Sequence, residues 1–435
     1  MFEPFFDTLT TIDNFFWGYL GFSIITLTGL YFSKKTKFFQ FTVLTQLRKT
    51  VTDLQKDSKT NDTGTHPLRL YFASVGGMVG LGNIVAVVSA ILIGGPGALF
   101  WLWIASFAGM LIKYSEIYLG VKFRVKNKEG GYDGGPMYYL KEAFGIRAIP
   151  IIVCILLCIY GVEVYQFVII TDTLSSTFEL NRWLVIATLI AAIMYSGLGG
   201  VTRLANICTI MMPPFMILYV LMCLYVIISH SSELPSVLAS VFHGAFNGHA
   251  AVGGFVGSSM IMVAQQGISR AVYSGDIGIG YDATIQSETR TQHPERQARM
   301  AVFSVLTDSI VCTMSMLVVL VTGLWKIEVP MQASEYVATA LGTHFPAIPY
   351  FMAVFFFLAG YTTLIAFFAV GLKCAQFLYP RFGRPLYYLY AVMSFIFFSF
   401  FDQSKVILIM SLSGGLLMMF NVAGIFKLRH KIKFK

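Results

Sequence analysis

Apolar runs about as long as a bilayer is thick recur along almost the whole chain, separated by short polar segments. They cover residues 14–33, 68–93, 97–121, 149–170, 183–199, 205–229, 250–275, 299–325, 346–372, 386–401 and 405–427. A hydrocarbon core about 30 Å thick needs roughly 20 apolar residues per helix, so each run predicts a spanning helix. Composition agrees. Hydrophobic residues make up 56% of the 435 positions and charged residues 12%, and the mean hydropathy is +0.70, too oily for a soluble globular chain. The sequence therefore predicts an all-α polytopic membrane protein with about eleven transmembrane helices.

The runs are not evenly spread. Residues 1–33 hold one helix, and residues 34–67 form a polar linker containing "KKTKFF" and "KDSKTNDTGTHP". Ten helices follow and divide evenly, five over residues 68–230 and five over 250–427, with a connection at 231–249 and a basic tail at 428–435. Five is odd, so the second set must insert upside down relative to the first. Each set opens with a glycine-interrupted helix, "VGGMVGLGN" at 75–83 and "AVGGFVGSSMIMVAQQGISR" at 251–270. A five-plus-five inverted repeat with discontinuous first and sixth core helices points to a secondary transporter with its site at the midplane.

The formal charge of +9 raises the question of nucleic acid, but placement answers it. With the N-terminus outside, all but Lys113, Arg182, Lys326 and Lys405 of the 31 Lys and Arg fall in inner segments, as the positive-inside rule requires. The basicity orients the chain in a bacterial cytoplasmic membrane, N-terminus out and C-terminus in, with no nucleic-acid role. "MFEPFFDTLTTID" lacks the basic start of a cleavable signal, so the first helix reads as an anchor. The six cysteines sit in or beside apolar helices as small hydrophobes. No Walker loop, H-E-x-x-H or G-x-S-x-G motif is present, so no enzyme is predicted, and nothing marks an obligate protein partner.

Glycine inside a helix costs roughly 1 kcal/mol relative to alanine, and an unpaired amide in hydrocarbon costs more. A helix unwound in mid-membrane frees N–H and C=O groups that need partners. Free N–H groups at a half-helix N-terminus suit a carboxylate, and free carbonyls suit a hard cation. "GGPG" at 94–97 reads instead as a tight turn. In "VGGMVGLGN", Asn83 adds a polar side chain that close packing does not need. Gln166 is another polar side chain at membrane depth, and Gly257, Ser258 and Ser259 sit where the second broken helix would supply the opposite wall.

"GLGNIVAVVSAILIGGPGALFWLWIASFAGMLIKYSE" (80–116), "GGPMYYL" (134–140), "GGFVGSSMIMVAQQGISR" (253–270), "QHPERQ" (292–297) and "CTMS" (312–315) closely resemble, in order, the signatures of the alanine/glycine:cation symporter family. The resemblance runs from about residue 68 to 427. It implies import of a small neutral amino acid, alanine or glycine, with Na⁺ or sometimes H⁺ as the co-transported ion. It also implies a cation between the carbonyls of Gly76 and Val79 and the hydroxyls of Thr362 and Thr363, with Asn83 bracing the segment or joining the cation. The substrate carboxylate is expected on the backbone N–H groups of Leu81 and Gly82 beside Gly80, with Gln166 bonding the substrate.

This chain departs from the family pattern in several places. It reads "RAVYSGDIGIGYDAT" after position 269, where the family is close to R-G-x-F-S-N-E-A-G-x-G-S-A-P, so that Asp276 stands for Glu. Glu163 stands where Asn is common, and Thr307–Asp308 appears in swapped order. An extra buried carboxylate is a means of coupling to protons, so H⁺-driven transport stays open, as does a transport-inactive sensor or scaffold. Lys113 and Glu116, one turn apart, read as a structural ion pair. Arg270 reads as the inner end of the second broken helix. "GGPMYY" reads as an interfacial segment with Tyr138 and Tyr139 in the headgroup layer.

Overall fold

In the computed structural model, residues 3–57, 63–127, 130–247, 259–327 and 331–435 are described. Among them the regular structure is helical apart from a two-residue antiparallel pairing of Val125–Lys126 with Tyr132–Asp133 and an isolated parallel bridge between Thr65 and Thr289. Seven helices are long and apolar enough to cross a membrane, and a bent pair makes an eighth span.

The helices that build the bundle are labelled in chain order. The first is α1 (Glu3–Lys35), which holds one wider π-type turn at Phe16–Gly21. Its Trp17 indole donates to the Ser411 hydroxyl at 2.9 Å, tying it to the last span. The bent pair is α2 (Pro67–Met78) and α3 (Ala86–Gly94), with α4 (Ala98–Lys122) after it. Then come α5 (Ala148–Tyr160), α6 (Val164–Thr177), α7 (Arg182–Gly197) and α8 (Gly200–Ser229). The second part of the chain runs through α9 (Met260–Gly275), α10 (Tyr281–Gln286), α11 (Met300–Val321), α12 (Ile348–Leu378), α13 (Gly383–Phe398) and α14 (Gln403–Lys427).

Three breaks position the site. Between α2 and α3 the axis bends by 54°, with a single tight turn at Leu81–Asn83. Between α9 and α10 the chain turns through Asp276 (φ 47°), Gly278 (φ 75°) and Gly280 (φ 107°). Between α5 and α6 it turns at Glu163 (φ 50°). The expectation for the second broken helix falls mostly outside the described residues, and of its expected wall only Ser259 is placed. Gly257 and Ser258 lie outside the described residues, and Ser259 is the exposed N-cap of α9, accepting from Met262 N–H at 3.3 Å. A serine there satisfies an orphan amide at the helix start instead of lining a mid-helix break. Arg270 is accordingly interior to α9 and buried.

"GGPMYY" is also placed differently from the expectation. Pro136–Phe144 forms a helix, and Tyr139 is fully buried, its hydroxyl donating to Asn421 Oδ1 at 3.1 Å. The reason is the preceding glycines. A Cβ on Gly134 would lie 2.5 Å from Ser287 Cβ and one on Gly135 2.3 Å from Thr284 Oγ1, so this segment packs directly on α10. The 34–67 linker is partly helical too, over Phe39–Thr45 and Leu47–Asp57.

Candidate substrate and cation site

The first break leaves backbone groups that an unbroken helix would pair internally. The Leu81 N–H donates instead to Gln166 Oε1 on α6 at 3.1 Å, and the Gly80 N–H donates to Asn83 Oδ1 at 3.1 Å. The Gly76 carbonyl accepts from the Thr363 hydroxyl of α12 at 3.3 Å. Gly80 stands where these partners meet. A Cβ there would be 2.4 Å from Thr363 Oγ1 and 2.5 Å from Gln166 Oε1, so only glycine lets α6 and α12 close on the segment together. Gly82 has a comparable neighbour, because its Cβ would lie 3.0 Å from the Tyr273 ring.

Asn83 braces the break rather than facing an open space. Its amide nitrogen donates to Asp308 Oδ1 and to Cys312 Sγ, the latter at 3.3 Å. Ser274 on α9 donates to the other Asp308 oxygen at 3.1 Å. Asp308 on α11 thus receives the unwound segment on one oxygen and the end of α9 on the other, which spreads a buried carboxylate charge over two donors. The sequence marks Asp308 only as a departure from the family pattern, and Ser274 not at all. The detectable signal was Asn83, a buried amide that needs an acceptor.

Of the residues expected at the cation, Gly76, Val79, Asn83, Thr362 and Thr363 are all buried. Val79 ends α2, its N–H bonded to the Val75 carbonyl at 2.7 Å. Thr362 differs from the expectation. Its hydroxyl donates to the Ala359 carbonyl at 2.8 Å and lies 3.2 Å from Met212 Sδ. Adjacent residues on a helix are 100° apart, so when Thr363 points at α2 its neighbour points toward α8 and bonds back to its own helix.

Next to this site, α4 carries a buried lysine. Lys113 Nζ lies 2.7 Å from Asp282 Oδ2 and 3.5 Å from Asp276 Oδ2, and it donates to the Gly275 carbonyl at 2.6 Å. The expected Lys113–Glu116 pair is therefore replaced. The ammonium clamps both ends of the α9–α10 break, because the unwound backbone there offers a carbonyl and two carboxylates that a within-helix neighbour cannot match. Ser74 on α2 donates to Asp282 Oδ1 at 2.6 Å, and Tyr281 donates to the Ala73 carbonyl at 2.8 Å, so the two broken helices are joined to one another.

Cavities flank the site from both ends of α12. One of about 1120 Å³ is lined by Met352 and Phe356 together with Asp172, Arg182 and Gln403. Another of about 760 Å³ is lined by Ala369, Lys373 and Gln376 together with Glu288 and Gly199. Lys373 bridges to Glu288 and, at 3.0 Å, to Asp133 at the mouth of the second.

Broken helices that meet around backbone groups held by side chains, between two cavities, define a membrane transporter fold. A solved Na⁺-coupled sialic acid symporter shares that fold, with a TM-score of 0.59 at 12% identity over 96% of this chain and 86% of that one. The chain belongs to the sodium:alanine symporter family, whose model matches residues 3–434. It is 30% identical to an uncharacterized transporter of Haemophilus influenzae over 98% of this chain and 94% of that protein. It is 25% identical to the sodium/alanine symporter AgcS of Methanococcus maripaludis over 88% and 86%. It is 27% identical to the probable sodium/glutamine symporter GlnT of Bacillus subtilis over 96% and 87%.

Proposed function

We propose that this protein imports a small neutral amino acid, alanine or glycine, together with Na⁺ by alternating access of two inverted five-helix repeats, residues 68–230 and 250–427, with residues 1–33 as an additional anchor. Its N-terminus is outside and its C-terminus cytoplasmic in a bacterial inner membrane, as the charge distribution favours.

The observation that carries the proposal is the Leu81 amide held by the Gln166 carbonyl beside Gly80. A side-chain oxygen occupies the position where a substrate carboxylate would accept from a half-helix N-terminus. On substrate binding the carboxylate replaces Gln166 Oε1, and the released amide turns its NH₂ donors toward the substrate. Na⁺ is coordinated by the Gly76 and Val79 carbonyls with Thr363, and its charge favours the carboxylate nearby. Thr363 lies seven residues from Phe356 and six from Ala369, about 10 Å along the helix in each direction, so a cargo at this level can be released to either cavity.

The experiment is uptake of labelled alanine into proteoliposomes, comparing inward Na⁺ and H⁺ gradients at matched membrane potential. Accumulation driven by Na⁺ supports the proposal. Accumulation driven by H⁺ alone assigns coupling to a buried carboxylate, and no accumulation of alanine, glycine or glutamine overturns amino-acid import.

A further inference from the structure

Glu163 touches the carboxylate site described above through Gln166, whose side chain hydrogen-bonds it as well as the Leu81 amide. It lies near the midpoint of the apolar stretch Ala148–Thr177 and is buried. Its backbone has φ 50°, a left-handed conformation that costs a non-glycine residue and collects at functional sites. Its carboxylate accepts from the Tyr273 hydroxyl at 3.1 Å. Among the described residues no Lys or Arg nitrogen lies within ion-pair distance of it. The Gln166 side chain hydrogen-bonds the same carboxylate, and these two neutral donors leave a buried carboxylate without a counter-charge.

Its surroundings are suited to a cation. Tyr273 packs edge-on against Tyr160 and Tyr165, with centroid distances of 6.3 and 6.1 Å. Tyr160 is fully buried, and its hydroxyl has no hydrogen-bond partner. Aromatic faces beside a carboxylate attract ammonium groups. The position also matches the carboxylate site. Gln166, whose side chain holds the Leu81 amide, is hydrogen-bonded to Glu163, and the Tyr273 ring abuts Gly82.

We propose that Glu163, within Tyr160, Tyr165 and Tyr273, pairs with the α-ammonium of the transported amino acid while Leu81 takes its carboxylate. The cargo is therefore recognised as a zwitterion with a free amino group, and the equivalent acid lacking that group is rejected. This rests on the reading of the Leu81 amide as the carboxylate site.

The test is equilibrium binding to purified full-length protein in Na⁺, using labelled alanine, glycine and glutamine with propionate and acetate as deamino competitors. The unmodified protein should bind at least one of the amino acids and reject propionate and acetate. Glu163→Gln should weaken amino-acid binding roughly 10- to 100-fold, the loss expected for one charge-assisted hydrogen bond, and narrow the preference over propionate. Glu163→Asp should retain the preference, which shows that charge rather than folding is responsible. If Glu163→Gln binds alanine as tightly as the unmodified protein and still excludes propionate, the ammonium role is wrong while the Leu81 site stands. If the unmodified protein binds none of the three amino acids, both fall.

Discussion

The Thr363 hydroxyl lies 3.3 Å from the Gly76 carbonyl and 3.2 Å from the Ala359 carbonyl of its own helix, so it links α12 to the first broken helix at the level of the break, whereas adjacent Thr362 faces Met212 of α8 and the Ala359 carbonyl. Thr363→Val should therefore abolish Na⁺-stimulated alanine uptake, and Thr363→Ser should preserve it. Thr362→Val should change uptake less than about tenfold, the factor that matches the roughly 0.5–1.5 kcal/mol of one net hydrogen bond. Uptake against a Na⁺ titration reads the difference, and equal loss in both valine variants would remove the assignment.

Gly80→Ala places a methyl group within 2.5 Å of Thr363 Oγ1 and Gln166 Oε1. Both neighbours belong to separate helices, so neither can yield without moving the site. Binding and uptake should fall at least about tenfold, while thermal stability falls by no more than the roughly 1–3 kcal/mol of an overpacked core. Scanning fluorimetry alongside binding distinguishes this from general unfolding.

Gln166→Glu keeps an acceptor on the Leu81 amide but makes it an anion in front of the incoming carboxylate. The apparent Kd for alanine should rise by about 10-fold or more, as expected when a charged acceptor replaces a neutral one. Gln166→Leu leaves the amide without a partner and should lower stability by about 1–3 kcal/mol, a loss that saturating alanine should partly restore by mass action. Thermal shifts with and without alanine check both statements.

Lys113→Met removes the ammonium paired with Asp276 and Asp282. Breaking a buried ion pair from one side costs about 3–5 kcal/mol, so the variant should melt well below the parent. Adding Asp282→Asn should recover part of that loss, because one uncompensated charge is removed with it. A double variant no more stable than Lys113→Met would show that the clamp acts through Met78 packing, where Nζ lies 3.1 Å from Sδ, instead of through charge.

The first break was legible because it is local. Glycine, asparagine and apolar residues in "VGGMVGLGN" conflict with an ordinary span, and the conflict lies within nine residues. Of "GGFVGSS" only Ser259 lies within the described residues; among those residues a break lies farther along, at Asp276, Gly278 and Gly280, and Asp276 gives no such signal in one dimension. Lys113 was paired with Glu116 because helical spacing reveals neighbours along α4, while its actual partners arrive from a chain segment more than 160 residues away.

By itself the sequence determined the solvent, the family and the first unwound segment, since hydropathy, glycine placement and motifs are properties of short stretches. Only the tertiary structure decided which hydroxyl of Thr362–Thr363 faces the Gly76 carbonyl, that Gln166 covers the Leu81 amide, that Asp308 anchors Asn83, and that Glu163 sits among tyrosines. Each depends on the rotation and depth of one helix against another. Those are set by summed packing and by the need to pair every buried polar group in a medium without water, and no single helix encodes them.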